Sequence, residues 1–435
     1  MPAGAKSDIH VAGYPDPVRE VPSLDAKSLI GSVAADERRM VESLCSMLRV
    51  RAVGPESGGA GEAERGRFLT GLARELGLGP IEVFESDDPR VPGGKRPNII
   101  IRAKGTTGKM LWVITHMDTV PEGDPAAWKH PAFDGTVADG RIYGRGSEDN
   151  GQELIASLFG LHALVKNGIT PEMDVGLVFV SDEENGNVHG IDLLLGRGIF
   201  KKGDLVVVPD HGLPDGAAIE VVEKSIAWVN VEVVGSQTHG ATPHKGVNAF
   251  EVGARFTIAA MDRLRAKYTA VDKLFDPPTS TFTPTRVEGN GPNINTVPGN
   301  QRFSFDFRML PEYRLDDMMA DLKTIASEFE RSSGAKIHLT YAQKSESGPR
   351  TGLDSDIVTR LGVAIEYVKK VKPYPVGIGG GTCANPFRRA GMEAAVWSTT
   401  RETAHDANEF AEISDLVSDA QVYALLFAGK NVPQG

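Results

Sequence analysis

Apolar positions in the first part of the chain recur at helical spacing. Met40, Leu44, Met47 and Leu48 would lie on one side of an amphipathic helix. A second helix is predicted over about 61–77, where large apolar residues again recur every fourth position. The chain therefore opens with helical elements that have one face suited to a core.

Between positions 98 and 210 the pattern changes to short runs rich in β-branched residues. A leucine-rich segment, Gln152–Val165, lies between the second and third of these runs and predicts a crossover helix. Runs this apolar are typical of strands buried on both faces of a mostly parallel sheet, with helices on both faces. The predicted strands are Asn98–Arg102, Leu111–Thr115, Val175–Val180 and Leu205–Val208.

From about residue 223 the strands instead alternate apolar and polar positions. Trp228–Val234 and Arg302–Arg308 show this alternation, and helices are predicted near Ala249–Tyr268 and Leu315–Ser332. The combination indicates an antiparallel sheet with helices on one face, an α+β unit.

After about residue 345 the earlier pattern returns, with a helix near Ile357–Val371 and a strand at Ala394–Trp397. We therefore predict an α/β domain formed by residues 1–222 and 344–435. An α+β domain over 223–343 interrupts it.

Charge and length narrow the class of protein. The chain has 435 residues, 47 Lys and Arg against 58 Asp and Glu, and a formal net charge of −11. Nucleic acids and anionic membranes are bound mainly by excess Lys and Arg, so neither is an expected partner. Two or more domains are expected at this length.

Cysteine use and the N-terminal sequence indicate a cytoplasmic protein. Cys45 and Cys383 are the only cysteines, too few for a disulfide framework or a cysteine-rich zinc module. The first residues show no basic region followed by an apolar one, and no run approaches 18 apolar residues. Residues 1 to about 25 contain many Pro and Gly and are predicted to form a loosely held lead-in.

Histidines and acidic residues follow several of the predicted strands of the α/β domain. The carboxyl ends of parallel strands line one crevice, so residues distant in sequence converge there. Imidazoles and carboxylates without cysteine suit zinc or a similar divalent ion. The residues concerned are His116, Asp118, Asp182, Glu183, Glu184, Asp210 and His405.

Local spacing adds detail to this metal hypothesis. On an extended chain His116 and Asp118 point to the same side, so Asp118 could accept the second imidazole N–H. Asp149 stands just before the predicted crossover helix, where it could bridge two metals. Glu183 and Glu184 would point in different directions, so that one could bind metal while the other acts as general base.

Simpler readings exist for each residue taken alone. A lone His or Asp is more often a surface or capping residue, and a Glu-Glu pair is more often a solvated face. The glycines of Tyr143–Gly151 do not have the spacing of a dinucleotide or phosphate-binding loop. The whole set, with compatible residue types at several predicted strand ends, favours the metal site.

With these residues in place, the chain resembles a family of di-zinc deacylases and exopeptidases. This family includes succinyl-diaminopimelate desuccinylase, acetylornithine deacetylase, aminoacylase and carboxypeptidase G, and the resemblance spans roughly residues 60–425. Desuccinylase-like members are the most similar, through EDNGQ and Val222–Ser225. The matching motifs are Thr115–Asp124, Tyr143–Gln152, Ser181–Gly186, Val206–Asp210, Thr238–Ala249, Asn295–Gly299, Phe305–Arg308, Gly379–Thr382 and Ala404–Glu409.

The resemblance implies a site with two divalent ions, Zn²⁺ being expected, while Co²⁺ or Mn²⁺ suits the same ligands. His116, Asp149 and Asp210 would hold one ion. Asp149, Glu184 and His405 would hold the other, so that Asp149 bridges the pair.

The resemblance also implies roles around the metals. Glu183 matches the general base, and Asp118 matches the residue that supports His116. His239, in the inserted lid and dimerisation domain, matches a histidine that stabilises the oxyanion across the subunit interface of dimeric relatives. A homodimer is therefore expected. Residues matching those that hold a substrate carboxylate are Asn295, Arg308, Gly381 and Thr382.

These inferences lead to one main hypothesis and two alternatives. The main hypothesis is a metal-dependent hydrolase of the amide bond in a small N-acyl amino acid, such as N-succinyl-diaminopimelate. The alternatives are a dipeptidase or carboxypeptidase of the same family, and a noncatalytic relative that binds a ligand. Many relatives have Gly-Thr-Ser-Asp-Ala where this chain has Gly381-Thr382-Cys383-Ala384-Asn385, so the substrate loop departs from the family pattern.

Overall fold

The computed structural model describes residues 24–289 and 293–431, so most of the predicted lead-in lies outside the described residues. The described helices are α1 Leu24–Ala34, α2 Glu37–Leu48, α3 Ala63–Glu75, α4 Gln152–Lys166, α5 Ile191–Gly196, α6 Ala249–Lys267, α7 Leu315–Ser333, α8 Asp356–Lys369, α9 Ala384–Arg389 and α10 Ile413–Ala428. The described strands are β1 Ile81–Asp87, β2 Lys95–Ala103, β3 Met110–His116, β4 Thr136–Ala138, β5 Arg141–Tyr143, β6 Asp174–Val180, β7 Leu205–Gly212, β8 Ala218–Glu223, β9 Ser225–Val234, β10 Thr238–His239, β11 Thr281–Val287, β12 Thr296–Val297, β13 Asn300–Met309, β14 Lys336–Ser345, β15 Tyr374–Ile378, β16 Glu393–Ser398 and β17 Phe410–Glu412.

The described chain divides into two compact units. The first contains the described residues up to Val221, then Arg350–Pro375, and then the described residues from Thr382 onward. The second contains Val222–Pro349 and Val376–Gly381. That last segment lies within the range 344–435, which the sequence analysis assigned to the α/β domain.

An eight-stranded mixed sheet has the order β1-β2-β6-β3-β7-β16-β8-β15, and its first six strands in this order lie wholly in the first unit. Its central strands β6, β3, β7 and β16 run parallel to one another. Antiparallel pairing flanks this centre, with β2 against β6 on one side and β8 against β16 on the other. The parallel centre places the carboxyl ends of β3, β6 and β7 at one edge of the sheet.

Helices cover both faces of this sheet, as predicted. Trp112 and Ile114 of β3 pack in one apolar cluster with Leu194 of α5 and Phe387 of α9. Alternate residues such as Val113 are also buried and point to the other face. Helix α4 contacts β3 and β6, so the strands are buried on both sides.

Helix α4 is apolar almost all round because it is enclosed by other elements. Its principal helical neighbour is α10, and both helices are buried over most of their length. At Gly160 an added Cβ would lie 2.7 Å from Tyr423 Cβ and 3.0 Å from the Ala420 carbonyl oxygen. The glycine therefore permits the close approach of the two helices.

The second unit contains the alternating strands. Its four-stranded sheet has the order β11-β13-β9-β14, with antiparallel pairing throughout. The inward positions of β9 and β13, such as Val231 and Phe305, pack with Phe256 of α6 and Leu322 of α7. The outward positions, such as Trp228 and Arg302, are exposed. This is the α+β arrangement that the alternation predicted.

Two smaller sheets complete the description. Strands β10 and β12 form a two-stranded ribbon in the second unit, and β17, β5 and β4 form a three-stranded sheet in the first. Within 24–289 and 293–431, no helix has the length and apolar content needed to cross a membrane.

Candidate metal centre

His116 is the last residue of β3 and is almost fully buried. Its Nδ1–H donates to the backbone carbonyl oxygen of Asp118 at 3.1 Å. The Asp118 carboxylate Oδ1 is further away, 3.6 Å from the same nitrogen. The second imidazole nitrogen, Nε2, is therefore the one that faces the site.

The main partners of the Asp118 carboxylate are not the His116 imidazole, which the spacing predicted. The backbone N–H groups of Glu183 and Glu184 donate to its two oxygens, each at 3.1 Å. Asp118 thereby joins the end of β3 to the turn after β6, and its support of His116 comes mainly through its carbonyl group.

Asp149 lies in the irregular turn Ser147–Gly151, which follows Gly146 and ends where α4 begins. Gly146 has φ 82°, and an added Cβ there would lie 2.5 Å from Thr119 Cγ2. Both facts require glycine at this position. The turn brings the Asp149 side chain to His116, with Oδ1 2.8 Å from His116 Nε2.

Glu183 and Glu184 form a single turn directly after β6. The residue before them, Asp182, has φ 71°, which is uncommon for a residue other than glycine. Arg96 holds it there, because its buried guanidinium donates to Asp182 Oδ1 at 2.9 Å. The His189 N–H donates to the other Asp182 oxygen at 3.0 Å.

Asp210 and His405 complete the set of predicted ligands. Asp210 lies near the end of β7, with Oδ1 3.5 Å from His116 Nε2. His405 lies in the loop between β16 and β17, with Nε2 3.2 Å from Asp149 Oδ2 and 3.1 Å from Glu184 Oε2. It is the most exposed of the five, with 54% of its side chain accessible.

The five side chains form two groups that share Asp149. Within each group, one ligand atom from every residue lies within 4.8 Å of the others. Asp149 presents Oδ1 to one imidazole and Oδ2 to the other, which is the arrangement a bridging carboxylate needs. The groups are His116, Asp149 and Asp210, and Asp149, Glu184 and His405.

Electrostatics shows that this site attracts positive charge. Burial alone would lower the pKa of His116, but the Asp149 carboxylate and its acidic neighbours raise that pKa well above its ordinary value of 6.5. Hydrogen bonds to Asp149 and Glu184 raise the pKa of His405 to about 10. Nitrogen and carboxylate donors that draw protons in this way fit two divalent cations.

Glu183, the predicted general base, lies near other carboxylates. Burial, reinforced by the Asp210 carboxylate, raises the pKa of Glu183 well above its ordinary value of 4.5. Its Oε1 lies 3.7 Å from the Cys383 sulfur, and the same thiol donates to Asn187 Oδ1 at 3.3 Å. The departure from the family pattern at Cys383 therefore lies beside Glu183.

His239 and Asn295 lie next to each other in the second unit. His239 ends β10 and pairs with Thr296 of β12, while the Gly240 N–H donates to the Asn295 carbonyl oxygen at 2.6 Å. Both His239 and Asn295 are exposed. Because the Ala241 N–H donates to His239 Nδ1 at 3.0 Å, the neutral imidazole carries its proton on Nε2.

Arg308 already has carboxylate and carbonyl partners within the second unit. Its Nε and Nη2 donate to the two oxygens of Asp306 at 2.6 and 2.9 Å, and its Nη1 donates to the Gly379 carbonyl oxygen at 2.8 Å. The guanidinium edge formed by Nη1 and Nη2 keeps further N–H groups for a ligand. Gly381 is exposed in the second unit, while Thr382, in the first, is half-buried and accepts the Ala384 N–H.

The family of the chain follows from comparison with known proteins. The model of Peptidase family M20/M25/M40 matches residues 112–428. An uncharacterized metallohydrolase of Methanococcus maripaludis is 35% identical over 402 residues, which are 88% of this chain and 97% of the relative. The chain belongs to the M20 family. It is accordingly a metallohydrolase, and the family implies the use of divalent metal.

Other similar proteins differ in the activity that their names give. A succinyl-diaminopimelate desuccinylase of Methylocella silvestris is 28% identical over 398 residues, which are 88% of this chain and 96% of the relative. The aminopeptidase PepT of Bacillus cereus has a TM-score of 0.71 at 21% identity, over 90% of this chain and 98% of its own. Human carnosine dipeptidase 1 has a TM-score of 0.69 at 16% identity, over 94% of this chain and 99% of its own. These two structures show that the fold is shared.

Several buried charged residues support the ligands of this M20 site but were not among those predicted. Arg65 donates to the Met117 carbonyl oxygen at 2.8 Å, behind the His116 segment. Glu148 and Glu409 each bind the backbone of a loop that carries a ligand. For Glu148 and Glu409 the available signal was their position inside the motifs that supplied Asp149 and His405, whereas Arg65 lies in neither motif.

Proposed function

We propose that this chain hydrolyses the amide bond of a small N-acyl amino acid that carries a free carboxylate, such as N-succinyl-diaminopimelate. The metals would be held by His116, Asp149 and Asp210 on one side and by Asp149, Glu184 and His405 on the other. The observation that carries the proposal is Asp149, whose two oxygens each face a different imidazole. Glu183 belongs to the same turn as the ligand Glu184.

The residues of the chain would divide the chemistry between them. Two bound divalent ions supply Lewis-acid polarisation of the amide carbonyl and lower the pKa of water. Glu183 would remove a proton from the attacking water and pass it to the nitrogen of the leaving amine. Asp118 would keep Glu183 and Glu184 in place through the two backbone N–H groups that it accepts.

The second unit would contribute oxyanion stabilisation and substrate binding. The Nε2–H of His239 would donate to the oxyanion that forms from the amide carbonyl. Arg308 would bind the substrate carboxylate through its remaining N–H groups, because a guanidinium binds carboxylates with two parallel hydrogen bonds. Asn295, Gly381 and Thr382 would complete this binding region.

We also propose that the chain is a homodimer through its second unit. Phe250 and Ile258, two turns apart on α6, are 53% and 64% exposed, and Val287 of β11 is 71% exposed. Exposed apolar side chains grouped on one unit are typical of protein interfaces. Zn²⁺ is the proposed metal, with Co²⁺ or Mn²⁺ as substitutes, and the scarcity of cysteine supports a cytoplasmic setting.

A dipeptidase or carboxypeptidase is the second candidate, because dipeptides and N-acyl amino acids share an amide and a carboxylate. The names of the M20 relatives with shared fold include an aminopeptidase and a dipeptidase. A noncatalytic binding protein is disfavoured, since all five candidate ligands and Glu183 are present and the ligands converge.

Substrate panels separate these possibilities. The zinc-loaded protein would be assayed for amine release from N-succinyl, N-acetyl and N-formyl amino acids and from dipeptides with free and blocked carboxyl termini. We expect release from N-acyl amino acids and its loss when the carboxylate is blocked. Turnover confined to dipeptides would favour the peptidase, and binding without turnover across the panel would contradict hydrolysis.

A further inference from the structure

Two loops of the first unit are joined by two buried carboxylates. Each loop supplies one carboxylate, which accepts backbone N–H groups of the other loop. The Glu148 carboxylate accepts the N–H groups of Thr403 and Ala404 at 2.6 and 2.9 Å, the Thr403 hydroxyl at 3.0 Å, and the Arg401 N–H. In return, the Glu409 carboxylate accepts the N–H groups of Gly146, Glu148 and Asp149 at 3.0 to 3.1 Å. One loop carries Asp149 and the other carries His405.

We propose that Glu148 is a positioning residue that holds His405 in place and thereby sets the metal affinity of the group Asp149, Glu184 and His405. The inference rests on the proposed function, because it assigns this group to a metal ion. It adds a residue that binds neither metal nor substrate and acts only through the loop that it holds.

The loop around His405 is held by polar contacts, among them the Arg145 guanidinium, which donates to the His405 carbonyl oxygen at 3.0 Å. Residues 404–407 are exposed, so apolar burial contributes little to their position. His405 has φ 67° and Glu402 has φ 59°. Such conformations are strained for residues other than glycine, and they persist only where the surroundings enforce them. Glu148 contributes to that enforcement, beside Arg145, because its carboxylate accepts several backbone N–H groups of this loop.

The other metal group does not depend on Glu148 in this way. His116 is buried at the end of β3, and Asp210 lies within β7. The backbone N–H of Asp149 is held by Glu409, so the loss of the Glu148 carboxylate leaves this contact intact. Removing Glu148 should therefore weaken one metal group and spare the other.

Metal titration of the apoprotein tests this inference without any assay of turnover. Zn²⁺ or Co²⁺ would be titrated calorimetrically into the wild type, Glu148→Gln and Glu148→Ala, and Co²⁺ absorption would report each equivalent. We expect the first equivalent to bind with wild-type affinity in all three proteins. The second should bind about 10- to 100-fold more weakly in Glu148→Ala, which is the usual effect of losing a group that orients a ligand. Glu148→Gln keeps an acceptor oxygen and should lie in between.

Glu220→Gln is the matched control, because Glu220 is also buried but binds Arg388 at 2.9 Å, away from both loops. It should bind both equivalents as the wild type does. The proposal is overturned if Glu148→Gln and Glu148→Ala bind both equivalents normally, lose both equally, or match Glu220→Gln. A wild type that binds two metals but cleaves no amide would contradict the proposed function and leave this inference standing.

Discussion

At the scale of single residues, Asp149 shows how a candidate ligand can be singled out from sequence. It is an acidic residue between a glycine-rich turn and a helix start, next to strands whose ends carry His116 and Asp210. Its residue type and its place just before the predicted crossover helix were sufficient to make it a candidate. The partner of His116 Nδ1 was not predictable, because the choice between the carbonyl and the carboxylate of Asp118 depends on side-chain geometry.

Glu153 offers a pH-dependent test of a buried residue outside the metal groups. It lies fully buried on α4, where Tyr423 donates to it at 2.7 Å and Gln152 donates at 3.1 Å. Burial, followed by the Asp419 carboxylate, raises the pKa of Glu153 well above its ordinary value of 4.5. Asp419 itself is paired with Lys369 at 2.6 Å. The folded protein therefore keeps a proton on Glu153 that the unfolded chain releases above this pH.

The titration of Glu153 should lower the free energy of unfolding as the pH rises from about 4.5 toward the pKa of Glu153 in the folded protein. One proton corresponds to a slope of up to about 1.4 kcal/mol per pH unit. Glu153→Gln removes the titrating group, so its stability should fall less steeply between pH 5 and 7 than that of the wild type. Urea unfolding of both apoproteins at three pH values measures this difference, and parallel profiles would contradict the assignment.

At the scale of elements, the repeating patterns predicted most of the central structure. The apolar runs became β2, β3, β6 and β7, and the alternating runs became β9 and β13. The antiparallel direction of β2 was not predictable, because a strand buried on both faces has the same composition in either direction. The edge strand β1 was missed because its sequence, IEVFESD, has few apolar residues.

Close packing of α4 on α10 gives a prediction at this scale. Gly160→Ala would place a Cβ 2.7 Å from Tyr423 Cβ, so the helices must separate slightly. We expect the free energy of unfolding to fall by about 1–3 kcal/mol. Gly71→Ala in α3 is the control, because an added Cβ there meets no described atom within 4 Å, and it should stabilise the protein by up to about 1 kcal/mol. Equal effects of the two changes in urea unfolding would refute the packing argument.

At the scale of the whole molecule, the M20 chain is a metallohydrolase whose candidate ligands lie in one unit and whose predicted His239, Asn295 and Arg308 lie in the other. The sequence patterns separated the two types of unit because strands buried on both faces are apolar throughout, whereas strands with one exposed face alternate apolar and polar residues. Substrate identity could not be derived in the same way, since the carboxylate and amide are common to several substrate classes.

A homodimer with His239 acting across subunits predicts complementation. Glu183→Ala and His239→Ala subunits would each be inactive alone. A co-purified heterodimer would contain one site with both residues intact and should recover about half of the wild-type activity. Light scattering would give the oligomeric state. An inactive heterodimer would rule out action in trans, and a fully active monomer would rule out the dimer.

The roles of the metals and of Glu183 are tested most directly by comparing the wild type with Glu183→Ala, each loaded with Zn²⁺ and freed of excess metal. Metal content and amine release from N-acyl amino acids would be measured on the same samples. We expect two metals per chain in both proteins, with turnover lower by on the order of 10²- to 10⁴-fold in the variant, because the variant lacks the general base. Near-wild-type turnover in a variant that holds both metals would contradict the role of Glu183.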